Sequence, residues 1–193
     1  MQARIPSGNL VIALNDRLPE SIRVLSSVAV SWDFHAQHDA VSKTYRYRLH
    51  RATICPPWTV RFVEPYPFKL DETAMIAAAP LFLGKQDFRS LASADESDLR
   101  PDKTYVRTIF ESSLERLDDE LVYTVRGDGF LTHMVRNIVG LLIEVGRGRR
   151  RVDDIAGILA ARDRQAAGPT AAARGLHLLR VEYADSIEKI GLE

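Results

Sequence analysis

The chain has 193 residues, of which 46% are hydrophobic and 27% charged, a composition typical of a folded protein with its own core. Its 26 basic residues balance its 26 acidic ones, which argues against binding to nucleic acid through net charge alone. The single cysteine, Cys55, excludes a disulfide framework and a thiolate metal cluster, and no run approaches the roughly 20 apolar residues of a membrane span, so we expect a soluble, cytoplasmic protein.

The first part of the chain predicts one strand and one helix. Residues 1–40 have short apolar runs with little periodicity, and we interpret them as an N-terminal remnant that packs on the following domain. Thr44–Leu49 predicts a strand, because apolar and basic side chains alternate strictly along it. Asp71–Leu83 predicts a helix that its first residue caps and that Gly84 ends.

The middle of the chain predicts a hairpin. Residues 90–102, rich in acids and serines, predict a loop. Val106–Leu117 and Leu121–Arg126 then predict two strands, since only the polar turn Asp118–Glu120 separates them.

The longest predicted helix runs from Phe130 to about Val145. Its apolar residues form one wide face, and Arg136 lies at the edge of the opposite polar stripe. That stripe consists of His133, Asn137, Gly140 and Glu144. From the pattern alone, Arg136 is either a solvated or structurally paired arginine or a functional one. A mid-helix glycine indicates close approach of another backbone.

The remaining elements complete an α+β fold. A short helix capped by Asp153 extends to about Ala161, and Leu176–Tyr183 predicts the last strand. The order β-α-β-β-α-α-β predicts an antiparallel sheet with helices on one face. We expect one domain over 41–185 and a tail over 186–193.

Five motifs occur in the order of a known family. Gly127-Asp-Gly-Phe-Leu-Thr-His-Met-Val-Arg-Asn-Ile-Val-Gly140 resembles the signature helix of the tRNA pseudouridine synthase A family. The other four matches are Phe34-His-Ala36 with Ala40–Tyr47, Leu83–Phe88, Lys103–Ile109, and Ala173–Leu178 leading into Val181–Tyr183. The resemblance covers nearly the whole chain.

This resemblance implies a pseudouridine synthase-like fold and an isomerase that converts uridine to pseudouridine in the anticodon stem-loop of tRNA. It also implies a homodimer that needs no metal or organic cofactor. Tyr45 matches the active-site tyrosine, Arg136 the arginine that pairs with the catalytic carboxylate, and Leu176 the leucine that packs on the target base. Without the resemblance, Tyr45 is better explained as a core residue of a strand, and the same explanation also fits Leu176.

Several polar residues are candidates for substrate binding. Lys43 and Arg46 belong to a run of cations without an acid, and His133 lies in the signature helix motif. Arg147 and Arg149 belong to a second basic cluster, which either binds phosphate or is a solvated end of the long helix that favours the helix dipole. Both interpretations of this cluster stay open at this point.

The nucleophile of the family is an aspartate in an Arg-Thr-Asp-x-Gly-Val-His-Ala motif, and no Arg-Thr-Asp occurs among the 193 residues. The order of the motifs places that segment before Met1. We therefore expect a chain that holds the C-terminal part of the catalytic region and is inactive alone. The alternative is a non-catalytic module for RNA binding or dimerisation.

Overall fold

A computed structural model describes residues 6–94 and 104–184. Contacts divide the chain into two units, residues 41–182 and residues 1–40 with 183–193. The predicted tail 186–193 and most of the predicted loop 90–102 lie outside the described residues. The partition into a remnant, a catalytic domain and a tail stays a prediction.

A six-stranded sheet organises the larger unit. Its strands are β1 (Ala40–His50), β2 (Glu64–Pro65), β3 (Gly84–Asp87), β4 (Val106–Leu117), β5 (Glu120–Gly127) and β6 (Leu176–Tyr183). They are ordered β2-β1-β5-β4-β3, and β6 also pairs with β1. The ladders between β1, β5, β4 and β3 are antiparallel, and the short β1–β2 pairing is parallel. The predicted α+β class with a mainly antiparallel sheet is confirmed.

The predicted hairpin is present as β4 and β5. Its turn places Asp118 in the left-handed region at φ 49°, which aspartate tolerates better than most residues. A shift in register between Ile109 and Glu111 interrupts the β4–β5 ladder. Short β2 and β3 were not predicted, because neither contains an alternating pattern.

Two helices border the core of the larger unit before and after the hairpin. The first, α2 (Glu72–Ala78), begins as predicted, since the Asp71 side chain accepts a hydrogen bond from the backbone nitrogen of Ala74 at 2.9 Å. It ends five residues earlier than Leu83, because Pro80 cannot donate to the preceding turn, and a 3₁₀ turn follows over Ala79–Phe82.

The helix α3 (Met134–Gly146) begins four residues later than predicted. His133 adopts a left-handed conformation at φ 58° and precedes the helix, so its assignment to the helical polar stripe was wrong. The rest of that stripe is buried, with Asn137 at 0% and Glu144 at 9% exposure. Residues 164–171 cover it, which brings the carbonyl group of Pro169 against Gly140.

The helix α4 (Asp154–Ala161) has nearly the predicted bounds. Its expected cap, Asp153, makes no capping hydrogen bond; instead the Asp154 side chain accepts one from the backbone nitrogen of Arg151 at 2.7 Å. The core between sheet and helices contains Tyr47, Leu49, Met75, Phe82, Phe88, Leu121, Tyr123, Met134 and Ile138.

The smaller unit contains α1 (Ser7–Asn15), which sequence periodicity did not predict. The Asn15 side chain both donates to and accepts from the backbone of Val24 at 2.8 Å. The Phe34 and Tyr183 rings meet edge to face with centroids 5.3 Å apart. Trp32 is 95% exposed, so much of the apolar surface of this unit faces outward.

Candidate functional site

Tyr45 lies on the core-facing side of β1 and is only half-buried. Its ring meets the ring of Phe130 edge to face, with centroids 5.0 Å apart and an interplanar angle of 84°. Phe130 belongs to the connection between β5 and α3, so Tyr45 lies beside the start of α3. Burial raises the pKa of the Tyr45 phenol, which therefore stays protonated at neutral pH.

Tyr47, two residues along the same face, is fully buried. Its hydroxyl donates to the carbonyl oxygen of Ala172 at 2.8 Å, and a side chain added at Gly175 would meet its ring at 2.7 Å. Burial, aided by the nearby Glu64 carboxylate, raises the pKa of the phenol, and the charge of Arg136 offsets only part of this shift. Of the two tyrosines, Tyr45 is therefore the more exposed.

Arg136 is anchored by its backbone and by one side-chain nitrogen. Its Nε donates to the carbonyl oxygen of Ala171 at 2.7 Å, and the Ala171 nitrogen donates to the carbonyl oxygen of Arg136 at 3.1 Å. Across residues 6–94 and 104–184, no carboxylate forms an ion pair with Arg136. Since a guanidinium has five N–H donors, its two terminal nitrogens remain for an anion.

Leu176 is the first residue of β6 and packs against the core while partly exposed. It follows the 3₁₀ turn Ala173–Gly175, which begins directly after the Ala171–Ala172 backbone that binds Arg136 and Tyr47. Residues 171–176 thus connect the Ala171 oxygen, which accepts from Arg136, with Leu176. The strand β6 that begins at Leu176 pairs with β1, which carries Tyr45.

The pleat of β1 separates the two basic candidates on that strand. Lys43 has the same orientation as Tyr45 and lies opposite Gly127 of β5, whereas Arg46 points to the other face of the sheet. There Arg46 lines a cavity of about 420 Å³ together with Arg48 and His50. Its Nε is buried and has no hydrogen-bond partner in the described part of the chain. Arg46 therefore lies on the opposite face of the sheet from Tyr45.

The other basic candidates lie at the two ends of α3. His133 is exposed just before the helix. Arg147 and Arg149 follow it, with terminal nitrogens 3.4 Å and 3.5 Å from the Glu144 carboxylate. Their two positive charges share one acid, so this end of α3 stays basic.

A cavity of about 170 Å³ lies along α3 beyond Arg136. Its lining includes Tyr47, Tyr66, Glu144 and Thr170, but none of Tyr45, Arg136 and Leu176. Sequence patterns did not indicate this cavity, because Tyr66 belongs to a segment without periodicity and Thr170 to a connection. Within the described ranges, no three His, Cys, Asp or Glu residues are grouped to hold a metal ion. No helix in those ranges is long and apolar enough to cross a bilayer.

Comparison with known proteins finds relatives that all carry the same enzyme name. The family model for tRNA pseudouridine synthase matches residues 78–184. The tRNA pseudouridine synthase A of Solibacter usitatus is 46% identical over 179 residues, which cover 93% of this chain and 71% of that protein. The enzymes of the same name from Brevibacillus brevis and Acetivibrio thermocellus are 40% and 42% identical, over 94% and 93% of this chain and 72% of each relative.

Proposed function

This chain belongs to the tRNA pseudouridine synthase family, a family of isomerases, and on that premise we propose that Tyr45, Arg136 and Leu176 form part of the pocket for a uridine of tRNA. The anchored but unpaired guanidinium of Arg136 is the observation that carries the proposal. Because its Nε is held by Ala171, the terminal nitrogens are the donors that remain to bind an anion entering the site. In this family that anion is the nucleophilic aspartate.

An arginine beside the aspartate favours its ionised form. A guanidinium within hydrogen-bonding distance of a carboxylate lowers the carboxylate pKa, and only the ionised form attacks the uridine. Arg136 has no competing acid among the residues that the structure describes, so its charge is available for this purpose.

The environment of Tyr45 supports stacking on the base more than proton abstraction. Burial raises its pKa, which makes the phenolate needed for a base less accessible at neutral pH. The Phe130 ring meets Tyr45 edge to face and supports its orientation. A tyrosine ring held in this way can stack on an extruded uracil while Leu176 provides an apolar contact.

We propose the anticodon stem-loop as the target and a homodimer as the working form, in the cytoplasm. A base inside a stem must be extruded before reaction, and extrusion requires contacts that hold the flanking phosphates. Lys43, which lies opposite Gly127 on the same face as Tyr45, and His133, which is exposed just before α3, are proposed to make such contacts. Arg147 and Arg149 are proposed to contact phosphates farther along the RNA.

We also propose that these 193 residues alone do not catalyse the reaction, because they contain no aspartate in the Arg-Thr-Asp context. Activity then requires a segment that supplies this residue. The alternative is that the chain binds RNA or a second subunit without any catalytic role.

The test is the release of tritium from tRNA labelled at C5 of uridine. The chain alone should release none above buffer, and the chain preceded by an Arg-Thr-Asp segment should be active. In that longer protein Arg136→Ala should reduce turnover by roughly 100- to 1,000-fold. Tyr45→Ala should lower it severely because the stacking ring is lost, whereas Tyr45→Phe keeps the ring and should lower it much less. The exposed Arg61→Ala serves as a matched control with unchanged turnover. Turnover by the chain alone would contradict the proposed inactivity, and full activity of Arg136→Ala would contradict the site.

A further inference from the structure

A buried polar network begins at the residue after Arg136. Asn137 is fully buried in α3, and its Nδ2 donates to the carbonyl oxygen of Leu91 at 2.7 Å. Its Oδ1 accepts two hydrogen bonds, from Thr170 Oγ1 at 2.6 Å and from Arg164 Nη2 at 2.9 Å. The Asn137 side chain therefore uses both of its polar atoms inside the protein.

Arg164 binds only neutral acceptors. Besides Asn137, Nη2 donates to Thr170 Oγ1 at 2.7 Å, and Nη1 donates to the carbonyl oxygen of Gly168 at 2.6 Å. No carboxylate pairs with it in the described ranges. A partly buried guanidinium without a counter-ion is unfavourable unless hydrogen bonds compensate its lost hydration. Apart from the bond to Asn137, its bonds converge on one short segment, residues 168–170.

That segment leads directly to the acceptor of Arg136. Gly168 adopts φ +79°, a conformation that favours glycine, and the chain then passes Gly140 so closely that an added Cβ would lie 1.9 Å from the Pro169 oxygen. Thr170 is bound by the network, and the next residue, Ala171, exchanges two hydrogen bonds with Arg136. A displacement of Thr170 must therefore move the oxygen that holds the Nε of Arg136.

We propose that Asn137, Arg164 and Thr170 are positioning residues that set the orientation of the Arg136 guanidinium through the 168–171 backbone. The inference rests on the role proposed above for Arg136. The network acts on the guanidinium by fixing the Ala171 oxygen that accepts from Arg136 Nε. A misplacement of about 1 Å at such a distance from the chemistry can lower turnover by roughly 100-fold.

The first test uses the 193-residue chain and needs no activity. Thr170→Val removes the hydroxyl at nearly constant volume, and Thr170→Ser retains it. Hydrogen exchange of the Arg136 Nε proton, followed by NMR, should accelerate roughly tenfold in Thr170→Val, the change expected when a bond of about 1.4 kcal/mol is lost. Thr170→Ser should restore protection. Backbone amides in the middle of α3 should keep their protection in both variants.

A matched control removes a buried hydroxyl elsewhere. Ser112 Oγ donates to the carbonyl oxygen of Ala79 at 2.6 Å and contacts the Tyr123 hydroxyl at 2.8 Å, so its hydrogen bonds are separate from those of residues 168–171. Ser112→Ala should destabilise the sheet without accelerating exchange at Arg136. If Thr170→Val does not fold, Arg164→Lys tests the same network, since an ammonium group cannot bind Gly168 and Asn137 in the same planar geometry. Exchange at Arg136 at the parent rate in the folded variant would overturn the inference.

Kinetics in the protein with an Arg-Thr-Asp segment separate this inference from the proposed function. Thr170→Val should lower kcat by roughly 10- to 100-fold with KM nearly unchanged, and Thr170→Ser should recover most of it. If Arg136→Ala abolishes turnover while Thr170→Val retains the parent kcat, the positioning role is wrong and the site stands. If Arg136→Ala retains turnover, the site assignment is wrong, whatever the exchange measurements show.

Discussion

Gly140→Ala provides a sharp test of the packing between α3 and residues 168–172. The added Cβ would lie 1.9 Å from the Pro169 oxygen and 3.3 Å from the Ala171 nitrogen. A carbon–oxygen contact requires about 3.3 Å, so the segment or the helix must move by about 1.4 Å. Alanine gains about 1 kcal/mol in helix propensity. The clash costs about 1–3 kcal/mol of folding stability through overpacking. Moving the segment also weakens the two hydrogen bonds between Ala171 and Arg136, at about 1 kcal/mol each, so the total cost exceeds the gain in propensity. We expect a net loss of about 2–4 kcal/mol.

The matched control is Gly157→Ala in α4. An added Cβ at this exposed position meets nothing within 4 Å, so only the propensity gain of about 1 kcal/mol applies and the variant should be more stable than the parent. Urea unfolding followed by circular dichroism measures both changes, provided that the m-values agree. If Gly140→Ala were as stable as Gly157→Ala, the close approach of Pro169 to α3 would be refuted.

Two further predictions concern charged residues. Burial raises the pKa of Glu72, but hydrogen bonds from Arg51 and Arg116 outweigh it and hold the pKa below its usual 4.5, so this contribution to stability is present at neutral pH and is lost as the pH falls through the folded-state pKa. Glu72→Gln should therefore unfold at lower urea than the parent at pH 7, and the difference should shrink at about pH 3; a difference that grows in acid would contradict the sign. Replacing Arg147 and Arg149 with glutamine should reduce the slope of log affinity for tRNA against log salt by about 1.5, as expected for two lost phosphate contacts. An unchanged slope would contradict the proposed phosphate contacts and favour the alternative that both arginines belong to a solvated end of α3.

Local patterns determine the elements that the sequence predicted well. The bounds of β4 and β6 agree with the prediction. β1 extends its prediction by a few residues, and it was recognised because strict alternation over several residues is incompatible with a helical period. Asp71 was identified as a cap because capping involves only atoms three residues away. The signature helix motif indicated the position of Arg136 through the family resemblance, since periodicity alone does not distinguish this arginine from a solvated one.

The missed features depend on residues far apart in the chain. The helical pattern did not predict that Asn137 is buried, because Arg164 and Thr170, 27 and 33 positions later, supply its partners. Helical periodicity also continued through His133, although the chain turns there to place Phe130 against Tyr45. Neither the register of β1 nor the path of residues 168–172 can be read from a local window.

The alternation along β1 has a consequence for mutagenesis. Odd-numbered positions from Lys43 to Leu49 report on the side of the sheet that carries Tyr45, and even-numbered positions from Thr44 to His50 report on the side with the Arg46 cavity. A substitution scan of this strand is therefore two interleaved experiments, and averaging neighbouring positions would mix them. A deletion of one residue within β1 would move every side chain beyond the deletion to the opposite face of the sheet. The buried side chains there would become exposed, and the outward-facing ones would point into the core.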